Sequence, residues 1–447
     1  MAQGAKFLHG RTMRHVIEMT LTGATGLTFM FLVDAAALFW VSKLDDPTLL
    51  AALGFAWTIM FFAVGSSIGL AIAATALVSR GIGQGERANA RRTASSALII
   101  SFAIQFTIAA LMFTFRDALV GLAGATGETR TIAVRYLGFI MPSIPLIALG
   151  MVGSSILRAL GDGWRSMSVT LAAGAIAVTL DPLFILYFGL GIDGAALVLV
   201  LSRTVTAALA IWYLVRVHKM LAPVRLSDIT RIIPAFFAIA LPGSLTQLST
   251  PCGNMLLTWL VSRHGDGAVA GWIVVSRVSM LAFGGIFALS GAIGGIIGQN
   301  YGANLLDRVR STYRDALIFV ACYTCIAWCI LFLTRHFVAD MFQLSGDGLD
   351  VYLAFAGLAA GGFVFNGSLF CANAAFNTLG KPLWSTGFNW MRDALVMFPL
   401  AWALSSWIGG PGAVYGQSMA GVIVGAAAAM AGWRYVSGLE RARPVQL

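Results

Sequence analysis

Long apolar runs separated by short polar turns dominate the chain. Twelve of them reach roughly 20 residues or more, the length a helix needs to cross a hydrocarbon core of about 30 Å. They run approximately 15–41, 48–78, 93–115, 131–157, 166–190, 193–215, 233–262, 267–297, 314–334, 351–377, 383–408 and 413–433. None alternates in character over about ten residues as a membrane β-strand does. A helix, by contrast, satisfies its own backbone amides in lipid. The pattern predicts an all-α membrane protein with twelve transmembrane helices.

Composition agrees with this. Hydrophobic residues make up 58% of the chain and charged residues 11%, against about 25% charged in a soluble domain, and mean hydropathy is +0.84. A net charge of +10 would suit a nucleic-acid binder, but its distribution points to topology. With the N-terminus inside, 20 of the 29 Lys and Arg residues fall in inward-facing segments, six in outward-facing ones and three within spans. That bias follows the positive-inside rule. It predicts a multi-pass cell (inner) membrane protein with both termini cytoplasmic and no nucleic-acid partner. The first run is too long for the apolar core of a signal peptide and is read as a retained span. The five cysteines all lie in the second half. Cys322, Cys325 and Cys329 share a helical face without polar supporting partners, so they read as inert thiols rather than metal ligands.

Polar landmarks repeat along the chain. Gly83 to Arg91 corresponds to Gly302 to Arg310, and Arg158-Ala-Leu-Gly161 to Asn377-Thr-Leu-Gly380, both at an offset of 219 in sequence number. Gly194-Ala-Ala corresponds to Gly412-Ala-Val at an offset of 218. The repeat predicts an N-terminal six-helix lobe over 1–217, a cytoplasmic linker over 218–231 and a C-terminal six-helix lobe over 232–447. Six is even, so both lobes insert in the same orientation, the parallel-repeat arrangement of many carriers. An enzyme would need a clustered nucleophile, base or metal set, and none is found. Transport is therefore expected, without a cofactor or metal.

Charge retained inside a bilayer costs at least ~2.5 kcal/mol, so buried carboxylates are the first functional candidates. Four acids fall well inside spans: Glu18 and Asp34 in the first, Asp181 in the fifth and Asp393 in the eleventh. Asp34 and Asp181 each stand nine residues before the outer end of spans that run in the same direction, about 13 Å short of it. Two acids at similar depth would couple, letting one hold a proton near neutrality. Pro182 predicts a kink beside Asp181. Glu18 precedes Asp34 in the same span by about 24 Å along the helix axis, which places it near the cytoplasmic mouth. Asp393 adjoins Arg392, but neighbours on an α-helix do not face each other, so each is expected to pair with another helix. Arg277 is expected to face a cavity or to pair, and Glu18, Asn366 and Asp393 are the other candidate polar residues of a cavity; Arg203 and Arg392 complete the arginines within spans.

Taken together, these segments resemble the multidrug and toxic compound extrusion (MATE) transporters. The matching pieces are Leu32-Val33-Asp34, Ile82-Gly-Gln-Gly85, Ala90-Arg-Arg92, Ile156-Leu-Arg-Ala-Leu-Gly-Asp162, Leu180-Asp-Pro-Leu-Phe-Ile185, Gly194-Ala-Ala196, Gly298-Gln-Asn300 and Gly302-Ala303. The resemblance implies two pseudo-symmetric six-helix lobes arranged as a V. It also implies a monomer that exports small organic, often cationic, substrates against a proton or sodium gradient by alternating access. In proton-coupled members, acids in the first and fifth helices couple transport, and they match Asp34 and Asp181. The seventh span has no acid, and the acid position of the tenth falls at Asn366, which favours the DinF-like, proton-coupled branch over sodium coupling. Ala177 and Leu199 replace polar positions of the family near the acid pair. A flippase for lipid-linked or anionic metabolites remains an alternative, for which Arg203, Arg277 and Arg392 would line the cavity.

Overall fold

The computed structural model describes residues 5–44 and 46–441, apart from the side chains at positions 34, 35, 42, 47, 440 and 441. These residues form helices and no strand. The first ten helices are α1 (Thr12–Ser42), α2 (Pro47–Gly83), α3 (Arg87–Thr114), α4 (Arg116–Leu122), α5 (Gly127–Ile140), α6 (Ile144–Ala159), α7 (Gly163–Pro182), α8 (Gly191–Trp212), α9 (Leu226–Ser262) and α10 (Asp266–Ala282). They are followed by α11 (Gly284–Gly302), α12 (Leu306–Met341), α13 (Gly346–Gly357), α14 (Phe363–Leu379), α15 (Pro382–Trp390), α16 (Met397–Ile408) and α17 (Gly410–Arg441).

Ten segments among the described residues are individually long and apolar enough to cross a membrane. An eleventh arises when α10 and α11, bent by 46° at Phe283, are taken as one span. The bend is filled by Phe283 itself, fully buried and stacked on Phe363 with ring centroids 4.0 Å apart. The remaining expected span, 383–408, runs as α15, a π-helical turn (Met391–Val396) and α16, so neither α-helical piece is long enough alone.

The chain groups into two compact units, one of residues 25–244 and one of residues 5–24 with 245–447. In the first, α6 packs against α2, α3 and α8; in the second, its repeat counterpart α14 packs against α11, α12 and α17. Each unit has its own apolar core. The segment read as a linker is tied into the first unit. Arg87 donates to the His218 carbonyl at 3.0 Å and Arg91 to the Leu221 carbonyl at 2.7 Å, while the Ala222 amide donates to Ser95 at 3.0 Å. In the second unit, Arg308 donates to the carbonyls of Phe7 and Gly10 at 2.8 and 2.9 Å, and Gln299 accepts from the Phe7 amide. The repeated polar turns thus satisfy the backbone of a non-helical segment that precedes a spanning helix.

Left-handed backbone recurs at one spacing. Gly85 and Asn304, Gly124 and Gln343, Gly127 and Gly346, and Gly161 and Gly380 are pairs with positive φ, and every pair keeps the offset of the polar landmarks. Gly161 and Gly380 end α6 and α14, where the left-handed turn requires the absent Cβ. Gly194 and Gly412 serve a different purpose. A Cβ at Gly412 would lie 2.3 Å from the Leu404 carbonyl, and one at Gly194 would lie 2.7 Å from that of Phe184, so each lets a new helix cross the end of the preceding one.

Asp162, between α6 and α7, caps α7 through the Arg165 amide and receives His218 at 2.9 Å. Burial disfavours its charged form, but His218 and the amide and guanidinium of Arg165 outweigh that and hold its carboxyl well below the usual carboxylate range. The folded state therefore favours the ionised form. This contribution is present above the unfolded value of about 4 and is lost as the pH falls from there through the folded value. Asp162→Asn should lower the melting temperature at pH 7 and flatten the loss of stability below about pH 4, measured by thermal unfolding in detergent. Gly380→Ala should destabilise by about 1–2 kcal/mol. In contrast, Gly54→Ala, in open space within α2, should be neutral or stabilising by up to about 1 kcal/mol.

Candidate functional site

In the first unit the acid of interest is Asp181, only 3% exposed at the end of α7. Pro182 supplies no amide to the helical ladder, and the chain passes directly into a π-helical turn, Leu183–Tyr187. The expected kink is therefore a change of helix type. Asp34 lies on α1, but its side chain is outside the described residues. The packing of its helix is well defined. Gly26 faces Thr170, and Gly174 sits against Phe29 and Val33 so closely that a Cβ there would come within 2.5 Å of the Phe29 ring. These contacts make α1 and α7 parallel neighbours. By that register position 34 stands level with about Ala177, and Asp181 lies about one turn, ~6 Å, further along.

Leu199 packs on a cluster containing Val41, Ile140, Ile185 and Ala196. Arg203 is committed nearby in a structural role. The Ile144 amide bonds to Met141 across the 3-10 turn Met141–Ser143, which frees the Ile140 carbonyl to accept from Arg203 at 3.1 Å. Ser143 accepts from the same guanidinium at 2.7 Å.

In the second unit Arg392 and Asp393 depart from expectation. They pair with each other, Nε to Oδ1 at 2.7 Å and Nη2 to Oδ2 at 2.8 Å. Both lie in the π-helical turn Met391–Val396 rather than in a regular α-helix. A neighbouring helix completes the shell: Ser249 and Thr250 donate to Asp393 Oδ2 at 2.8 and 3.1 Å. The helices can approach because residue 253 is glycine; a Cβ there would lie 2.8 Å from the Asp393 carbonyl. Ser249, Thr250 and Gly253 were not among the candidates read from the sequence. Their signal was the polar run Thr246-Gln-Leu-Ser-Thr250 inside an otherwise apolar span.

The other candidates are dispersed. Glu18 pairs with Lys6 at 2.7 Å, the two side chains being 44% and 45% exposed, an arrangement worth little energetically. Asn366 lies against Gly421, and its buried Oδ1 accepts no hydrogen bond among the described residues. Arg277 is exposed on α10 and has no carboxylate partner among the described residues. Cys322, Cys325 and Cys329 are exposed on α12, the span surface where lipid would lie.

The MatE family model matches residues 24–183 and again 242–403. The chain belongs to the MatE family. The matched blocks begin at 24 and 242, which reproduces the spacing of the Gly194 and Gly412 landmarks. Members of the family are transporters, so this MatE chain is a multi-pass membrane transporter and not an enzyme. It is similar to an FAD transporter of Shewanella oneidensis, 27% identical over 409 residues and 89% of each chain. It is also similar to the multidrug export protein MepA of Staphylococcus aureus, 20% identical over 382 residues, 85% of this chain and 84% of that one. A crystal structure of a MATE protein in complex with MaL6 shares its fold, with a TM-score of 0.92 and 23% identity over 99% of this chain and all of the other.

Removing one member of a buried ion pair costs about 3–5 kcal/mol because the other charge is left uncompensated. Arg392→Ala and Asp393→Ala should each lower stability by about that much. The double variant should recover part of the loss, giving a coupling of about 1–3 kcal/mol in a double-mutant cycle followed by thermal unfolding.

Proposed function

We propose that this MatE chain exports small organic, cationic solutes in exchange for protons by alternating access, with Asp181 and Asp34 as the coupling acids. On this reading it lies in the inner membrane with both termini cytoplasmic, as the charge bias suggests. The observation carrying the proposal is the placement of Asp181, almost wholly buried at a break in its helix and beside the helix that carries Asp34. Asp393, on the other side of the repeat, is held by Arg392, Ser249 and Thr250. A proton or a cationic substrate competes for a carboxylate placed as Asp181 is, and that competition produces exchange. The name of the relative MepA is consistent with multidrug export.

In proteoliposomes, an imposed proton gradient should drive accumulation of a fluorescent organic cation, and a sodium gradient alone should not. Asp181→Asn and Asp34→Asn should each reduce proton-driven transport at least tenfold. Wild-type rates in both variants would eliminate the mechanism.

A second reading is export of an anionic dinucleotide. Exposed Arg277, without a carboxylate partner among the described residues, supports it, as does the name of the Shewanella oneidensis relative. It requires FAD flux that falls with Arg277→Gln while cation transport is unchanged.

A further inference from the structure

Away from the buried acids, the second unit holds a cavity of about 330 Å³ where the segment preceding α1 meets the first turns of α12. Three arginines line it, Arg11, Arg308 and Arg314, against one carboxylate, Asp315. Their hydrogen bonds show how much of this charge is compensated. Every acceptor bound by Arg308 is neutral: the carbonyls of Phe7, His9 and Gly10, and the side-chain oxygen of Asn300 at 2.9 Å. It is rigidly held but keeps its charge. Asp315 is 5% exposed and accepts from Thr12 and, at 3.3 Å, from Arg314. Arg11 is exposed and has no partner among the described residues. Two positive charges are therefore left over around one concave site.

The position narrows the chemistry of the partner. The cavity lies at the starts of the long apolar segments Thr12–Val41 and Leu306–Met341, among the charged residues that precede their apolar runs, which points to the headgroup region rather than the hydrocarbon. Ser311, in the first turns of α12, adds a hydroxyl to the wall. Guanidinium forks bind phosphate oxygens in pairs, and basic pockets at the ends of membrane helices suit anionic headgroups.

We propose that this cavity binds a phosphate group, with Arg11 and Arg314 as its clamps and Arg308 as its fixed wall. Occupancy fastens the segment preceding α1 to α12, because Arg11 belongs to the former and Arg314 to the latter. The phosphate belongs either to an anionic phospholipid or to a soluble phosphate ester, and both present the same oxygens to the arginines.

The test uses the purified full chain in detergent, titrated separately with phosphatidylglycerol and with glycerol phosphate, with binding read by native mass spectrometry and thermal shift. The Arg11→Gln/Arg314→Gln double variant removes the clamps but leaves Arg308 holding the backbone. Arg14→Gln/Arg231→Gln alters charge equally at exposed positions outside the cavity. The clamp variant should bind phosphatidylglycerol about tenfold more weakly, the size of one lost charge-assisted hydrogen bond, and the control should stay within twofold. The same pattern seen with glycerol phosphate alone supports the site and assigns it to a soluble ester. Equal weakening in the clamp and control variants, or no binding of either probe to the wild type, overturns the proposal.

Discussion

A charge carried inside a membrane-spanning helix has no water to solvate it, so it must find its partner within the protein. Much of the internal architecture follows from that requirement. Arg203 directs its charge at a carbonyl released where the helix tightens at Met141–Ser143. Arg392 and Asp393 meet each other in a π-helical turn, and two hydroxyls of α9 complete the carboxylate's coordination. At these two sites helix irregularity and buried charge occur together, the first freeing a backbone acceptor and the second holding two neighbouring side chains in contact. Asp181, at the junction of α7 with another π-helical turn, belongs to the same pattern.

The spans, the six-plus-six organisation and the repeated turns were legible because they depend on periodicity and hydropathy, which a single sequence displays directly. Gly161 and Gly380 could be recognised from their spacing alone, and the structure adds the reason, a left-handed turn at the end of α6 and α14. The burial of Asp181 was legible too, from its place deep in an apolar run, whereas Glu18, close to the start of its run, stays half exposed beside Lys6. The Arg392–Asp393 pair was not legible. It sits in a π-helical turn over Met391–Val396, and hydropathy reveals neither the turn nor the pairing. Similarly, the hydroxyls of Ser249 and Thr250 are ordinary helix residues until Gly253 lets the two helices approach. The boundary between the packed units was also hidden. Arg87, Arg91 and Ser95 draw the polar segment after α8 into the first unit, although by composition it reads as a free connection.

The paired left-handed positions carry one more consequence. Between Gly85 and Gly124 lie as many residues as between Asn304 and Gln343, and the distance from Gly127 to Gly161 equals that from Gly346 to Gly380. A residue gained in either stretch would turn everything beyond it by about 100°, swinging lipid-facing side chains into the core. Substitution has been free to exchange glycine with asparagine or glutamine at these joints, yet the count between joints has not drifted. The two halves have thus diverged in what their residues are while keeping the same ruler.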